Sequence, residues 1–231
     1  MSDNMSYTCK YCGKSYRKES TLAAHLCEPK RRWQEEKETG VQFGLRAYKR
    51  FYEITQGSAR NKDYADFCKS PYYNAFVKFG RYCTGIRAIN FMNFCEWLLQ
   101  NNKKIDHWCK DKLYQEWMLP YIKREQAQDA LERGVKEMLD YCEEHSELKN
   151  GIADYFRYAN SNRICHHIST GRVSAWLVFN CDSGVEFLDT LNEEQLQIIY
   201  PYIDPEYWQR RFTDFMADTE WVKQSLKDIG L

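Results

Sequence analysis

YIKREQAQDALERGVKEMLDYCEEH, residues 121–145, decides the class of the fold. Within it Ala127, Ala130, Leu131, Gly134, Val135, Met138, Leu139 and Cys142 recur three or four residues apart. That period keeps side chains on one face of an α-helix and scatters them over both faces of a strand. The same spacing extends in both directions. Upstream, Val41, Leu45, Tyr48 and Tyr52 predict a helix that turns Arg46, Lys49 and Arg50 away from its apolar face and ends at Gly57 and Ser58. Ser70 and Pro71 make a cap and first-turn pair ahead of the stripe Tyr72, Phe76, Phe79, Cys83 and Ile86. Asn90 caps a further stripe of Phe91, Phe94, Cys95, Leu98 and Leu99, which Asn101 and Asn102 close. Asp106 opens a short helix that Pro120 interrupts. Downstream, Asp204 and Pro205 start a helix running through Phe215, and a last one covers 219–229 before Gly230. The body of the chain is therefore predominantly helical.

One segment breaks the period. SNRICHHISTGRVSAWLVFNCDSG, residues 161–184, mixes small polar residues with two histidines and two cysteines, and its run 173–179 reads as a short strand-containing insert. Arg163, His166, His167, Ser169 and Arg172 are candidate lining residues of an anion pocket, in which 169–172 would offer backbone N–H groups and a guanidinium to a phosphate. The spacing is not that of a P-loop. A structured turn whose buried polar groups satisfy one another is the favoured alternative. No dinucleotide-binding, zincin or deaminase signature is present, so the sequence points to a non-catalytic protein, with an enzyme acting on nucleotides or nucleic acid through 160–184 as an alternative.

Hydrophobic residues make up 43% of the 231 and aromatics 16%, enough to fill a core beyond any small motif. No apolar run is long enough for a membrane span and the first residues are polar, which predicts a cytoplasmic protein with no membrane partner. In such a compartment the ten cysteines serve as buried thiols or metal ligands rather than disulfides. The zero formal charge conceals a polarity: 7–32 holds seven basic and two acidic residues, while the chain from Asp63 onward is acidic. A basic N-terminal quarter fits contact with a polyanion.

That quarter also carries Cys9-x2-Cys12, with His25 twelve residues after the second cysteine. Thiolates and an imidazole at this spacing suit one tetrahedral Zn²⁺. Tyr7-x-Cys9-x2-Cys12-x3-Tyr16-x5-Leu22-x2-His25 resembles the C2H2 zinc-finger family at every spacing up to the first histidine. The resemblance implies a ββα finger over 1–33; charge and periodicity divide the rest into a basic linker and helix over 34–62 and a helical domain over 63–231. The fourth ligand departs from the family. Cys27 follows His25 by only two residues, so on a regular helix the two side chains would diverge by about 200°. Cys27 can ligate only if the helix unwinds, which Pro29 favours; a more distant cysteine or histidine, or a water, is the alternative.

In DNA-reading members of that family the base-facing sites would fall here on Lys18, Thr21 and Ala24, a poor reading surface. Lys14, Arg17, Lys30, Arg31 and Arg32 suit non-sequence-specific phosphate contacts on DNA or RNA better. Beyond the finger, HLCEPKRR (25–32), FYEITQGSA (51–59), SPYY (70–73), FVKFG (76–80) and NRICHHISTG (162–171) resemble a family of zinc-finger proteins encoded by large T4-like tailed phages. This second resemblance implies a bacterial cytoplasm as workplace. It also implies a role in phage nucleic-acid metabolism or host takeover, including a host or phage protein as partner.

Overall fold

The structure is a computed structural model that describes residues 6–56, 62–145 and 149–231. The chain is mainly α-helical with a small two-stranded sheet at its N-terminus, and it divides into two compact units, Met1–Tyr114 and Gln115–Leu231. The first begins with strands β1 (Tyr7–Thr8) and β2 (Ser15–Tyr16), paired antiparallel with Tyr7 opposite Tyr16. Two short helices follow, α1 (Glu19–Ala24) and α2 (Glu28–Gln34).

The core of the first unit is built on α3 (Thr39–Gln56) and α5 (Tyr73–Gly85), which lie antiparallel, with α4 (Tyr64–Lys69) between them in sequence. Glycine decides how closely α3 and α5 approach. A Cβ at Gly80 would stand 1.9 Å from the Gly40 carbonyl oxygen and 2.6 Å from the Gly44 nitrogen, and one at Gly44 would stand 2.7 Å from the Phe76 oxygen. The two backbones are in contact along this seam. On either side of it Tyr48, Phe67, Phe76 and Phe79 are buried, and Trp108 stacks edge-on to Phe76 and Phe79. Such tilted pairs suit the ring quadrupole.

Capping explains several boundaries. Asp63 and Asp66 exchange side-chain to backbone bonds in a capping box that starts α4, a helix too short for its apolar spacing to announce. Asn90 Oδ1 accepts from the Asn93 N–H at the head of α6 (Phe91–Gln100), and Asn102 ends that stretch at φ +50. Pro120 does not interrupt: α7 (Asp111–Arg124) runs through it. Buried Trp117, Met118 and Ile122 flank the proline, so packing outweighs the one ladder bond it removes. The turn expected at Gly57 and Ser58 lies outside the described residues.

In the second unit the run 121–145 divides into the end of α7 and α8 (Ala127–Glu144). The break falls where Glu125, buried, takes a bidentate pair from Arg133 at 2.6 and 2.7 Å. Arg133 Nε also donates to the Gly171 oxygen. After α9 (Tyr155–Tyr158) come α10 (Ser161–Ser169), α11 (Ala175–Val178) and α12 (Asp182–Asp189). The strand expected over 173–179 is thus a helical turn. Val173 to Val178 are buried on every side, so an apolar run this short carries no period that separates strand from helix. The unit ends with α13 (Glu193–Ile203), α14 (Pro205–Asp214) and α15 (Met216–Asp228), and Asp204 caps α14 as expected. Its core gathers Met138, Tyr155, Ile164, Trp176, Leu177 and Trp208. Among the described residues no helix is long and apolar enough to cross a membrane.

Candidate metal centre and basic surface

Cys9 to Gly13 forms a tight knuckle. The Gly13 N–H donates to the Cys9 oxygen and the Cys9 N–H to the Lys14 oxygen, each at 2.8 Å, with Gly13 at φ +72, where a side chain is strained. The knuckle sets Cys9 and Cys12 on one side of the hairpin. Helix α1 then delivers His25 at its C-terminal end, and here the chain leaves the helix: His25 has ψ 122, and Cys27 has φ −102 and ψ 160. In extended chain, residues two apart point the same way. The spacing that would separate His25 and Cys27 on a helix therefore brings them together, while Leu26 points out and is exposed. Cys27 is at once the N-cap residue of α2, whose second position is Pro29.

The four donor atoms of Cys9, Cys12, His25 and Cys27 all lie within 4.8 Å of one another and could hold a metal ion. Cys9 and Cys27 Sγ are 3.9 Å apart, and Cys12 Sγ is 3.3 Å from His25 Nε2. Burial raises the Cys9 thiol, but backbone N–H groups of Cys12 and Tyr11 outweigh it and the net shift is downward. Burial and the neighbouring sulfurs, against the Lys30 N–H, leave the Cys27 thiol raised. Among the described residues this is the one group of three or more metal-capable side chains so gathered.

Tyr16 does more than fill the finger. Its hydroxyl lies 2.8 Å from His25 Nδ1. With a metal on Nε2 the ring proton must sit on Nδ1, which would then donate to the phenol oxygen and hold the tautomer and ring plane. The family spacing marks an aromatic at this position, but only the folded geometry shows the bond. Tyr16→Phe should weaken metal affinity about tenfold with the fold retained, as measured by competition against a chelator; unchanged affinity would leave Tyr16 a packing residue only.

The seven residues assigned to nucleic-acid contact separate into two groups. Lys14, Arg17, Lys18 and Thr21 are exposed on the hairpin and α1. The others are engaged by contacts within the protein. Lys30 Nζ donates to the Ala23 and His25 oxygens, closing the C-terminal end of α1. Arg31 is paired with Glu28 at 2.6 Å and lies near Glu35. Arg32 donates to the Cys68 oxygen at 2.7 Å and covers the Tyr73 ring at 4.4 Å, while the Tyr64 hydroxyl donates to the Arg32 oxygen. These contacts span more than thirty residues of sequence, so no local pattern announces them.

The five candidate pocket residues do not converge. His166 and Ser169 line a groove of about 510 Å³ with Asn162, closed by Asn192, Glu194 and Gln195 of α13. Partial burial, then Arg172 and Arg163, push the His166 imidazole down. His167 is buried elsewhere: its Nδ1 meets the Tyr155 hydroxyl at 2.7 Å and its Nε2 stands 3.5 Å from Glu137, which also pairs with buried Arg172. Arg163 is exposed. The periodicity of α10 separates neighbouring His166 and His167 by about 100°, which assigns one to the groove and the other to the core.

Comparison of the chain with protein-family models, with curated proteins and with solved structures gave no match.

Proposed function

We propose that this chain is a non-catalytic, zinc-binding protein that associates with nucleic acid through its N-terminal finger. The observation that carries the reading is the Cys3His cluster together with the exposed cations Lys14, Arg17 and Lys18 on the same small unit. Three sulfurs and one imidazole favour Zn²⁺ over harder cations. Tetrahedral Zn–S bonds imply sulfur–sulfur edges of about 3.8 Å, close to the Cys9–Cys27 separation. With all four residues bound to the ion no position would stay open, which suits a structural rather than a catalytic role.

The basic residues supply charge without much readout, since Lys18, Thr21 and Ala24 offer few base-edge contacts. Binding is then dominated by phosphates and depends steeply on salt. If Lys14, Arg17 and Lys18 are the cations that meet duplex DNA, the expected slope of log affinity against log salt is about −3, falling by about one in Lys18→Ala. Zinc-loaded protein that binds neither DNA nor RNA at low salt would remove this reading. The resemblance to phage-encoded zinc-finger proteins would place that activity in an infected bacterial cytoplasm.

A second reading, a protein-interaction adaptor, is favoured by exposed apolar side chains of the second unit. Phe215, Met216, Trp221 and Ile229 of the C-terminal helices are all more than 40% exposed. The adaptor reading expects one phage or host partner to be captured from infected cells after nuclease treatment, and truncation of these side chains to release it.

A further inference from the structure

Beside the metal ligands lies a concavity of about 320 Å³, walled by Lys10 and Tyr11 of the knuckle, Leu22 and Ala23 of α1, and Lys30 of α2. Its chemistry differs from that of the α1 face that would read a duplex. Lys10, Tyr11 and Lys30 line a largely apolar wall together with Thr8 and Cys9, and no carboxylate is among its lining residues. Lys30 is held in place by the Ala23 and His25 oxygens and keeps a third N–H to offer. Lys10 Nζ sits 5.0 Å from the Tyr11 ring centroid. The Tyr11 ring is itself backed by Trp33, with centroids 6.5 Å apart and planes tilted by 42°. Trp33 remains 37% exposed.

Cations that track a backbone beside partly exposed rings are the recognition chemistry of single strands. Unpaired bases present a π-face to any aromatic platform, whereas a duplex hides its faces in the stack. We infer that this groove, and not the outer face of α1, is the finger's main contact, and that it takes single-stranded nucleic acid with a base against Tyr11 and its phosphates at Lys10 and Lys30. The inference rests on the nucleic-acid reading above and narrows its ligand class.

The test uses full-length, metal-loaded protein and fluorescence anisotropy with a mixed-sequence 20-nucleotide DNA strand, the same sequence as RNA, and the corresponding duplex. The expected result is tighter binding to the single strands than to the duplex. Tyr11→Ala should lose about tenfold on the single strands, the scale of one lost base stack, with duplex affinity unchanged. Lys10→Glu should weaken the single strands further. Bound-metal content equal to wild type shows that each variant keeps its finger. Tyr11→Trp should restore binding, with its emission quenched on adding either strand. The DNA and RNA arms show whether the 2′-hydroxyl matters. Equal affinity for strand and duplex, with Tyr11→Ala neutral on both, overturns the groove and leaves nucleic-acid binding standing. Loss of all nucleic-acid binding in the wild type overturns both readings. Displacement of the strands by a poly-glutamate peptide at lower concentration would reassign the groove to acidic protein segments.

Discussion

Replacing Gly80 by alanine should destabilise the first unit by about 3 kcal/mol or more, the upper end of what overpacking costs. A methyl there would meet the Gly40 oxygen at 1.9 Å and the Gly44 nitrogen at 2.6 Å. Both are backbone atoms of α3, so no rotamer change relieves the clash. The helices must part, and parting them opens the packing of Phe76, Phe79 and Trp108. Against a total stability of about 5–15 kcal/mol, that loss is large. Gly85→Ala, in the same helix, is the control: a Cβ there meets nothing within 4 Å, and alanine is the better helix former, so it should be neutral or gain up to about 1 kcal/mol. Denaturant melts of both variants decide the matter, with hydrogen exchange over 39–56 and 73–85 locating the effect. A Gly80→Ala melt indistinguishable from that of Gly85→Ala would mean that α3 and α5 do not touch as described.

This seam was not legible in the sequence, and the reason is physical. Gly40, Gly44 and Gly80 read locally as weak helix positions, and their value exists only when another backbone arrives from thirty to forty residues away. What was legible was whatever repeats or caps locally: the stripes of α3, α5, α6 and α8, apart from exposed Tyr72 and Leu139, Asn90 and Asp204 as caps, and the metal spacing through His25. Where burial is complete, the pattern vanishes, as over 173–179. The site shows the same division. That Cys27 could ligate only outside a helix follows from its distance to His25, but the extended link that makes it possible is a property of the folded finger. The roles of Tyr16, Lys30 and Arg32 are likewise set by partners that spacing cannot name.

Removing the metal should unfold the finger outright and loosen α2. Across 6–34, Cys9 is the one buried residue, and α1 and α2 contribute none. So little apolar burial cannot offset the ordering of about thirty residues, which costs on the order of 1 kcal/mol or more each. In isolated finger peptides the binding of structural zinc is itself the free energy of folding, and chelators denature them. The effect should not stop at His25. Cys27 ends the metal site and begins α2, and α2 carries Arg32 and Trp33, which meet Cys68, Tyr73 and Tyr64. Chelation should therefore abolish exchange protection over 7–27, raise exchange in α2 and α4, and leave 115–231 unchanged. Because the donors bind metal only when deprotonated, acidification should release it by the same route. Cys27→Ala separates the remaining possibilities. If Cys27 is the fourth ligand, affinity falls by orders of magnitude and α2 loosens even at saturating zinc; if a water or another side chain completes the site, wild-type affinity persists. Retained protection of 7–25 in metal-free protein would show that the finger is held by its surroundings and not by the ion.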